Sequence, residues 1–177
     1  MVFNLFRKSP RPAAVEDCYR AIVAQSRQER FYAEWGVPDT VTGRFNLLSL
    51  HMALMLRRLN RESSVRDFTQ ALVDRFFKDM DQSHRELGVT DLGVPRKVRR
   101  LGNLFYGMMK ALDEALDEAL GEDSGAAVES MLVRDVYDGT PVPGASALAA
   151  YTVAEALRLD AIPAAALVAG APTGAAA

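Results

Sequence analysis

Residues 42–60 carry Phe45, Leu47, Leu48, Leu50, Met52, Leu54, Met55, Leu56 and Leu59, which cover almost every face of the helix that their spacing predicts. A surface helix shows one apolar stripe, whereas an element apolar nearly all round is buried on all sides. Other elements must therefore wrap around this one, and that requirement sets the expected architecture. The segment reads as the central core helix, with His51 inside it and Arg57, Arg58 and Arg61 at its C-terminal end.

The flanking segments have the pattern that such a wrapping needs. Val15, Cys18, Tyr19, Ile22, Val23 and Phe31 predict a helix over 15–35. Gly36-Val37-Pro38-Asp39-Thr40 ends it, because Val37 before proline leaves the α region and Gly36 accepts positive φ. Ser63-Ser64, with Asp67 following, offers a hydroxyl cap to a third helix that runs to about residue 87. Its stripe is Val65, Phe68, Leu72, Phe76 and Met80, widened by Val73 and Phe77. A fourth helix begins near Pro95, where Val98, Leu101, Phe105, Met108, Leu112, Leu116 and Ala119 alternate steps of three and four until Gly121. Between these two, residues 79–95 read as a helix–loop–helix corner, with Gly88 suited to a left-handed C′ position and Pro95 to a first turn. Shorter helices are expected over 128–136, with Ser124 as a cap, and over 145–159.

No segment alternates with period two, so the expected class is all-α, a single-domain bundle of about six helices with the corner near residues 79–95. Residues 1–12 are expected to be a flexible N-terminus and 13–160 the helical domain. Residues 161–177, rich in Ala, Gly and Pro, are expected to be a disordered tail with too little bulk to pack. At 177 residues, with 49% apolar and 25% charged, the chain supports one core. A single cysteine, Cys18, rules out an internal disulfide framework or a thiolate metal cluster, and reads as a small core residue. No apolar run approaches the ~18 residues of a membrane span. Phe3, Leu5 and Phe6 precede Arg7 and Lys8, the wrong order for a secretory signal, so a cytoplasmic protein is expected.

The net charge of −2 conceals an uneven distribution. Residues 1–43 hold six Lys/Arg against five Asp/Glu, residues 44–110 thirteen against seven, and residues 111–177 two against eleven. Either the basic middle meets an anionic partner or the thirds pair with each other. Arg57, Arg58 and Arg61 suit the negative end of their helix. Arg96, Lys97, Arg99 and Arg100 do not, because cations in the first turns oppose the macrodipole, and such a group is expected where something anionic binds. Both sets are therefore candidate partner-binding residues.

Little else in the chain points to chemistry. His51 and His84 are the only histidines, and a histidine on an apolar helix is ordinarily a hydrogen-bonded core residue; ligation of haem or iron by His51 is the sharper alternative. Asp79 and Asp81 resemble half a carboxylate metal site but point roughly 200° apart on a helix, so charge pairing with Lys78 or Arg85 is favoured. Phe105 and Tyr106 read as helix–helix contacts, and Gly102 and Gly107 as points of close packing. No Ser–His–Asp arrangement, phosphate loop or metal-ligand cluster can be assembled, so no enzymatic activity, no cofactor and no metal are expected. The methionines leave open an adaptable apolar groove.

Several ordered blocks carry a more specific signal: Val23-Ala24-Gln25-Ser26-Arg27, Phe31-Tyr32, Gly36-Val37-Pro38-Asp39-Thr40, Gly43-Arg44-Phe45, Leu50-His51, Asp79-Met80-Asp81, Arg85-Glu86-Leu87-Gly88-Val89, Asp91-Leu92-Gly93-Val94-Pro95 and Phe105-Tyr106-Gly107. Over residues 19–137 the chain resembles the ubiquinol–cytochrome c chaperone family, assembly factors of respiratory complex III, in its bacterial form. It departs from the family at Ala111-Leu112-Asp113 and at Arg134-Asp135. The resemblance implies an all-α chaperone that binds cytochrome b during synthesis or insertion. It marks Arg44, His51, Asp79, Asp81, Arg85, Gly88, Asp91, Pro95, Phe105, Tyr106 and Gly107 as family-motif residues. The implied partners are cytochrome b or other complex III subunits, with an anionic membrane surface or the ribosome as further contacts and no specific DNA binding. The implied location is cytoplasmic or peripheral to the inner membrane. A helical lipid- or quinone-binding module is the alternative that the methionine-rich helices suggest.

Overall fold

The segment that is apolar on every side is enclosed on every side. The computed structural model of the protein describes residues 11–86, 94–122 and 124–169, all organised in helices and short connections. In chain order they form α1 (Pro12–Ser26), α2 (Glu29–Ala33), α3 (Val41–Asn60), a 3-10 turn (Ser63–Val65) leading into α4 (Arg66–Glu86), α5 (Val94–Glu122), α6 (Ala126–Asp135), α7 (Ala145–Asp160) and α8 (Ala164–Val168). Every residue of α3 from 47 to 59 is buried. Helices α1, α4, α5 and α7 pack directly on it, α6 lies against α5 and α7, and α8 rests on α1 and the 3-10 turn. The expected all-α bundle is the fold observed, with six helices of ten residues or more and two of five among the described residues.

Two expectations about helix limits are corrected. The first predicted helix is two helices, broken at residues 27–28 with neither glycine nor proline to signal it. The break is held from outside the backbone: the Tyr32 hydroxyl donates to the Ser26 carbonyl at 2.8 Å, while the Arg27 and Gln28 amides turn back to Ala24 and Gln25 at 3.3 Å. Packing also continues past residue 160. Ala164 and Leu167 in α8 are buried, so part of the alanine-rich stretch assigned to a loose tail is core, its small side chains allowing close approach to α1. The loop of the expected corner, including Gly88 and Asp91, lies outside the described residues, as do the side chains of Arg85, Pro95 and Lys97; the two helices that flank it, α4 and α5, pack on each other.

Two glycines fix the connections around α3. Thr40 caps the helix, its hydroxyl accepting the Gly43 amide at 3.1 Å, and the preceding turn folds over that amide so closely that a Cβ on Gly43 would lie 2.0 Å from the Pro38 carbonyl oxygen. At Gly144 a Cβ would lie 2.2 Å from the Trp35 carbonyl oxygen, where the loop before α7 closes on the end of α2. The expectation of close packing fails at Gly107, whose Cβ would meet nothing within 4 Å. Gly43→Ala is therefore expected to destabilise the fold by on the order of 2 kcal/mol or more, since backbone must move. Gly107→Ala is expected to stabilise it by about 1 kcal/mol. Chemical denaturation of the two variants side by side checks both signs.

Candidate functional site

Four helix segments bound an open groove. The end of α1, the first turns of α3, the end of α4 and the start of α5 enclose a groove of about 740 Å³. Val23, Phe45, Leu48, Met80, Leu101 and Leu104 form its apolar surface, while Arg27, Arg44, Asp79, Ser83 and Arg100 bring polar atoms to it. The floor consists of core residues facing a gap between helices. The lip is different: Val41 is 66% exposed and Leu104 51%, large for aliphatic side chains on a monomer. Leu104 stands one position off the buried stripe of α5, between Leu101 and Phe105, so its outward direction follows from the helical period.

The wall formed by α1 and α4 is tied by a polar cluster. Arg75 holds Glu16 through two contacts of 2.6 and 3.3 Å, reaches Asp79 at 3.3 Å, and lies over the Tyr19 ring with its guanidinium carbon 4.4 Å from the centroid. The Tyr19 hydroxyl donates to Asp79 at 2.9 Å. The hydrogen bond from Arg75 holds the Glu16 carboxyl below its usual range, and burial followed by the Asp79 carboxylate pushes the Tyr19 hydroxyl well above its own. Among the described residues Asp79 is thus paired with Arg75 and Tyr19 and not with Lys78; the other expected partner, Arg85, has its side chain outside them. Asp79 lines the groove and Asp81 does not. Among the described residues no group of three or more His, Cys, Asp or Glu is placed to hold a metal.

His51 belongs to a different place. Its Nδ1–H donates to the Leu47 carbonyl at 2.8 Å, which leaves Nε2 to accept from the Tyr151 hydroxyl at 2.9 Å, and Tyr151 in turn accepts from the Gln25 amide at 2.7 Å. The tautomer follows because a carbonyl only accepts. Phe31 packs edge-on to the imidazole with centroids 5.3 Å apart. Arg30, half-buried, sits over the Phe31, Trp35 and Tyr151 rings at 5.2–5.3 Å, so its charge faces π-clouds. Beside His51 is a pocket of about 10 Å³, about the space one water needs. Burial pushes the imidazole down to about 4. His51 is therefore the hydrogen-bonded core residue that its helix suggested, and it shares no pocket with Asp79.

The two predicted cation sets separate. Arg57 and Arg58 lie within the enclosed part of α3, and a guanidinium there needs partners. Arg57 reaches Asp113 at 3.4 Å, Asp117 at 3.0 Å and Asp160 at 3.4 Å. Arg58 donates to the Ile162 carbonyl at 2.9 and 3.1 Å and to Glu62 at 2.8 Å, and Arg61 pairs with Asp160 at 2.8 Å. These arginines fasten α5, α7 and the start of the α8 segment to α3, which gives the charge of Arg57 and Arg58 a use inside the fold. Arg96, Arg99 and Arg100 are exposed, and among the described residues no ion pair engages them. Of the family-motif residues, Arg44 and Asp79 meet at the groove, together with Arg100 of the candidate partner-binding set. Phe105 is buried against Phe76 and Phe77, while Tyr106 packs on Phe77 and is 54% exposed.

Sequence reasoning missed Arg27, Val41 and Leu104 as site residues. Arg27 ends the first ordered block, and Leu104 is an apolar residue out of phase with its helix; the second of these was a usable signal.

A family model described as ubiquinol-cytochrome C chaperone matches residues 33–175. The ubiquinol-cytochrome-c reductase complex assembly factor 1 of Xenopus laevis is 22% identical over 97 residues, 54% of this chain and 48% of that protein, so the match spans about half the length of that relative. The crystal structure of the Cbp3 homolog from Brucella abortus superimposes with a TM-score of 0.79 at 40% identity, covering 89% of this chain and 86% of that one.

The environment of His51 has a pH consequence. Its folded value of about 4 lies below the ordinary 6.5, so between these values the unfolded chain binds more protons. Stability from the neutral imidazole is complete above pH 6.5 and falls as the pH drops toward 4, by up to about 3 kcal/mol. Urea unfolding from neutral to acidic pH is expected to show the gap between wild type and His51→Leu narrowing on acidification.

Proposed function

Because the chain belongs to the ubiquinol–cytochrome c chaperone family, we propose that it is a non-enzymatic assembly factor of respiratory complex III that holds an apolar or partly inserted segment of cytochrome b in the groove bounded by α1, α3, α4 and α5. The observation that carries this reading is the groove itself: an apolar trough between helices with Val41 and Leu104 exposed at its lip. Such a trough takes the apolar face of a helix, with anchors from the guest entering between the host's side chains. Met80 in the trough adapts to guests of different shape. A chaperone needs that adaptability more than a single rigid fit, since its client changes as synthesis proceeds.

No described helix is long and apolar enough to cross a membrane. A lipid- or quinone-binding module is the second reading, favoured by the groove volume of about 740 Å³, within the range of small-molecule sites. The pocket beside His51 gives it no support, being far below that range at about 10 Å³.

Capture of the tagged protein from its own membranes after mild crosslinking is expected to enrich cytochrome b. Val41→Glu with Leu104→Glu, both at exposed positions, is expected to reduce that enrichment at least several-fold while leaving the melting temperature unchanged. Recovery of lipid or quinone without any complex III subunit would replace the chaperone reading with the small-molecule one. Normal complex III levels in cells lacking the gene would remove the chaperone reading altogether.

A further inference from the structure

The groove has a charge that its apolar client does not explain. Arg27 after the end of α1 and Arg100 near the start of α5 both line it, and among the described residues neither is in an ion pair, though Arg27 lies close enough to Asp39 to help Arg44 hold its carboxyl down. Arg44, also at the groove, is held by Asp39 at 2.5 Å and is only half available. Arg96 and Arg99 extend the patch along the first turns of α5. Their placement costs stability twice over. They stand at the positive end of the helix dipole, and Arg96 faces Arg99 and Arg100 at the three- and four-residue spacings where like charges repel. The carboxylates of α5 begin at Asp113, about 20 Å from Arg100 at ~1.5 Å per residue, more than twice the ~8 Å screening length at physiological salt. Among the described residues no ion pair offsets that cost, and Asp79, which lines the same groove, is held by Arg75 and Tyr19.

We propose that this lip docks on the surface of an anionic bilayer, with Arg27, Arg99 and Arg100 on lipid headgroups and Val41 and Leu104 entering the boundary between headgroups and acyl chains. The choice of a bilayer rests on the mixture of side chains. Phosphates of a nucleic acid ask for cations and stacking platforms, and the nearest exposed ring, Tyr106, is turned onto Phe77 with centroids 6.1 Å apart. Exposed aliphatic residues interleaved with arginines instead match the interface plane of a membrane, where apolar burial and attraction to anionic lipid act together. In this orientation the groove opens onto the membrane, whatever client it takes.

The structure also supplies a clean probe. Cys18 is 3% exposed and burial pushes its thiol up to about 11, so a Leu104→Cys variant carries one reactive thiol, at the lip. An environment-sensitive fluorophore placed there is expected to shift to the blue with phosphatidylglycerol-containing vesicles and to stay unchanged with pure phosphatidylcholine. The same label at Leu157→Cys, on α7 away from the groove lining, is expected to report nothing. Neutralising Arg27, Arg99 and Arg100 to Gln should weaken partition by about 100-fold, at about 1 kcal/mol per arginine and 1.4 kcal/mol per tenfold, whereas the three Lys replacements should retain it. Retention by lysine separates loss of charge from loss of fold. Equal partition into neutral vesicles, a response at residue 157 in place of 104, an unaffected Gln variant, or RNA binding that displaces the vesicles would each overturn the proposal.

Discussion

The burial of α3 on all sides is the constraint from which the rest follows. Thirteen consecutive residues, 47–59, lie out of solvent, which forces neighbours onto every face and leaves each neighbour only one stripe to bury. It also brings two guanidinium groups into the interior, at Arg57 and Arg58. A buried cation without partners is far more costly than a buried leucine, so the elements that reach them must present oxygen atoms there. Asp113 and Asp117 from α5, Asp160 from α7 and the Ile162 carbonyl do so. The acidic C-terminal third is in this sense a requirement of the core helix.

Similar runs of cations therefore do opposite things. Arg57 and Arg61 pair with carboxylates distant in sequence, and Arg58 with Glu62 and the Ile162 carbonyl, while among the described residues no ion pair engages Arg96, Arg99 or Arg100. The uneven charge distribution left two explanations open, an external anion or internal pairing; internal pairing describes the α3 set, and an external anion is what we propose for the α5 set. What separates them is position relative to the core: Arg57 points into the space between α3, α5 and α7, whereas Arg96, Arg99 and Arg100 project from a helix whose buried stripe runs through Leu101 and Phe105.

Much of the fold was legible because it depends on local period. The stripes of α4 and α5, the all-round apolarity of α3 and the Gly36–Thr40 break are properties of neighbours in sequence. The break at residues 27–28 was not legible, since a tyrosine hydroxyl and a long-range bond from Gln25 to Tyr151 help fix the turn. Nor was the packing of α8, because small side chains lack a hydrophobic signal even when their closeness is what packs. For the groove, Arg44, Asp79 and Arg100 were marked in advance. Its lip was not, since exposure of Val41 and Leu104 is decided by where other helices stop.

Helix α5 has one property that reaches beyond its contacts. It is 29 residues long, about 43 Å at ~1.5 Å per residue, with guanidinium groups at its N-terminal end and the carboxylates of Asp113, Glu114, Asp117 and Glu118 toward the other. The side-chain charges run in the same sense as the peptide dipoles, so the two add. Helix α5 consequently contributes an electric moment along its own axis, reduced toward its C-terminal half where Arg57 pairs with Asp113 and Asp117. In the field of any negatively charged surface it experiences a torque before it touches, and its encounters begin already oriented.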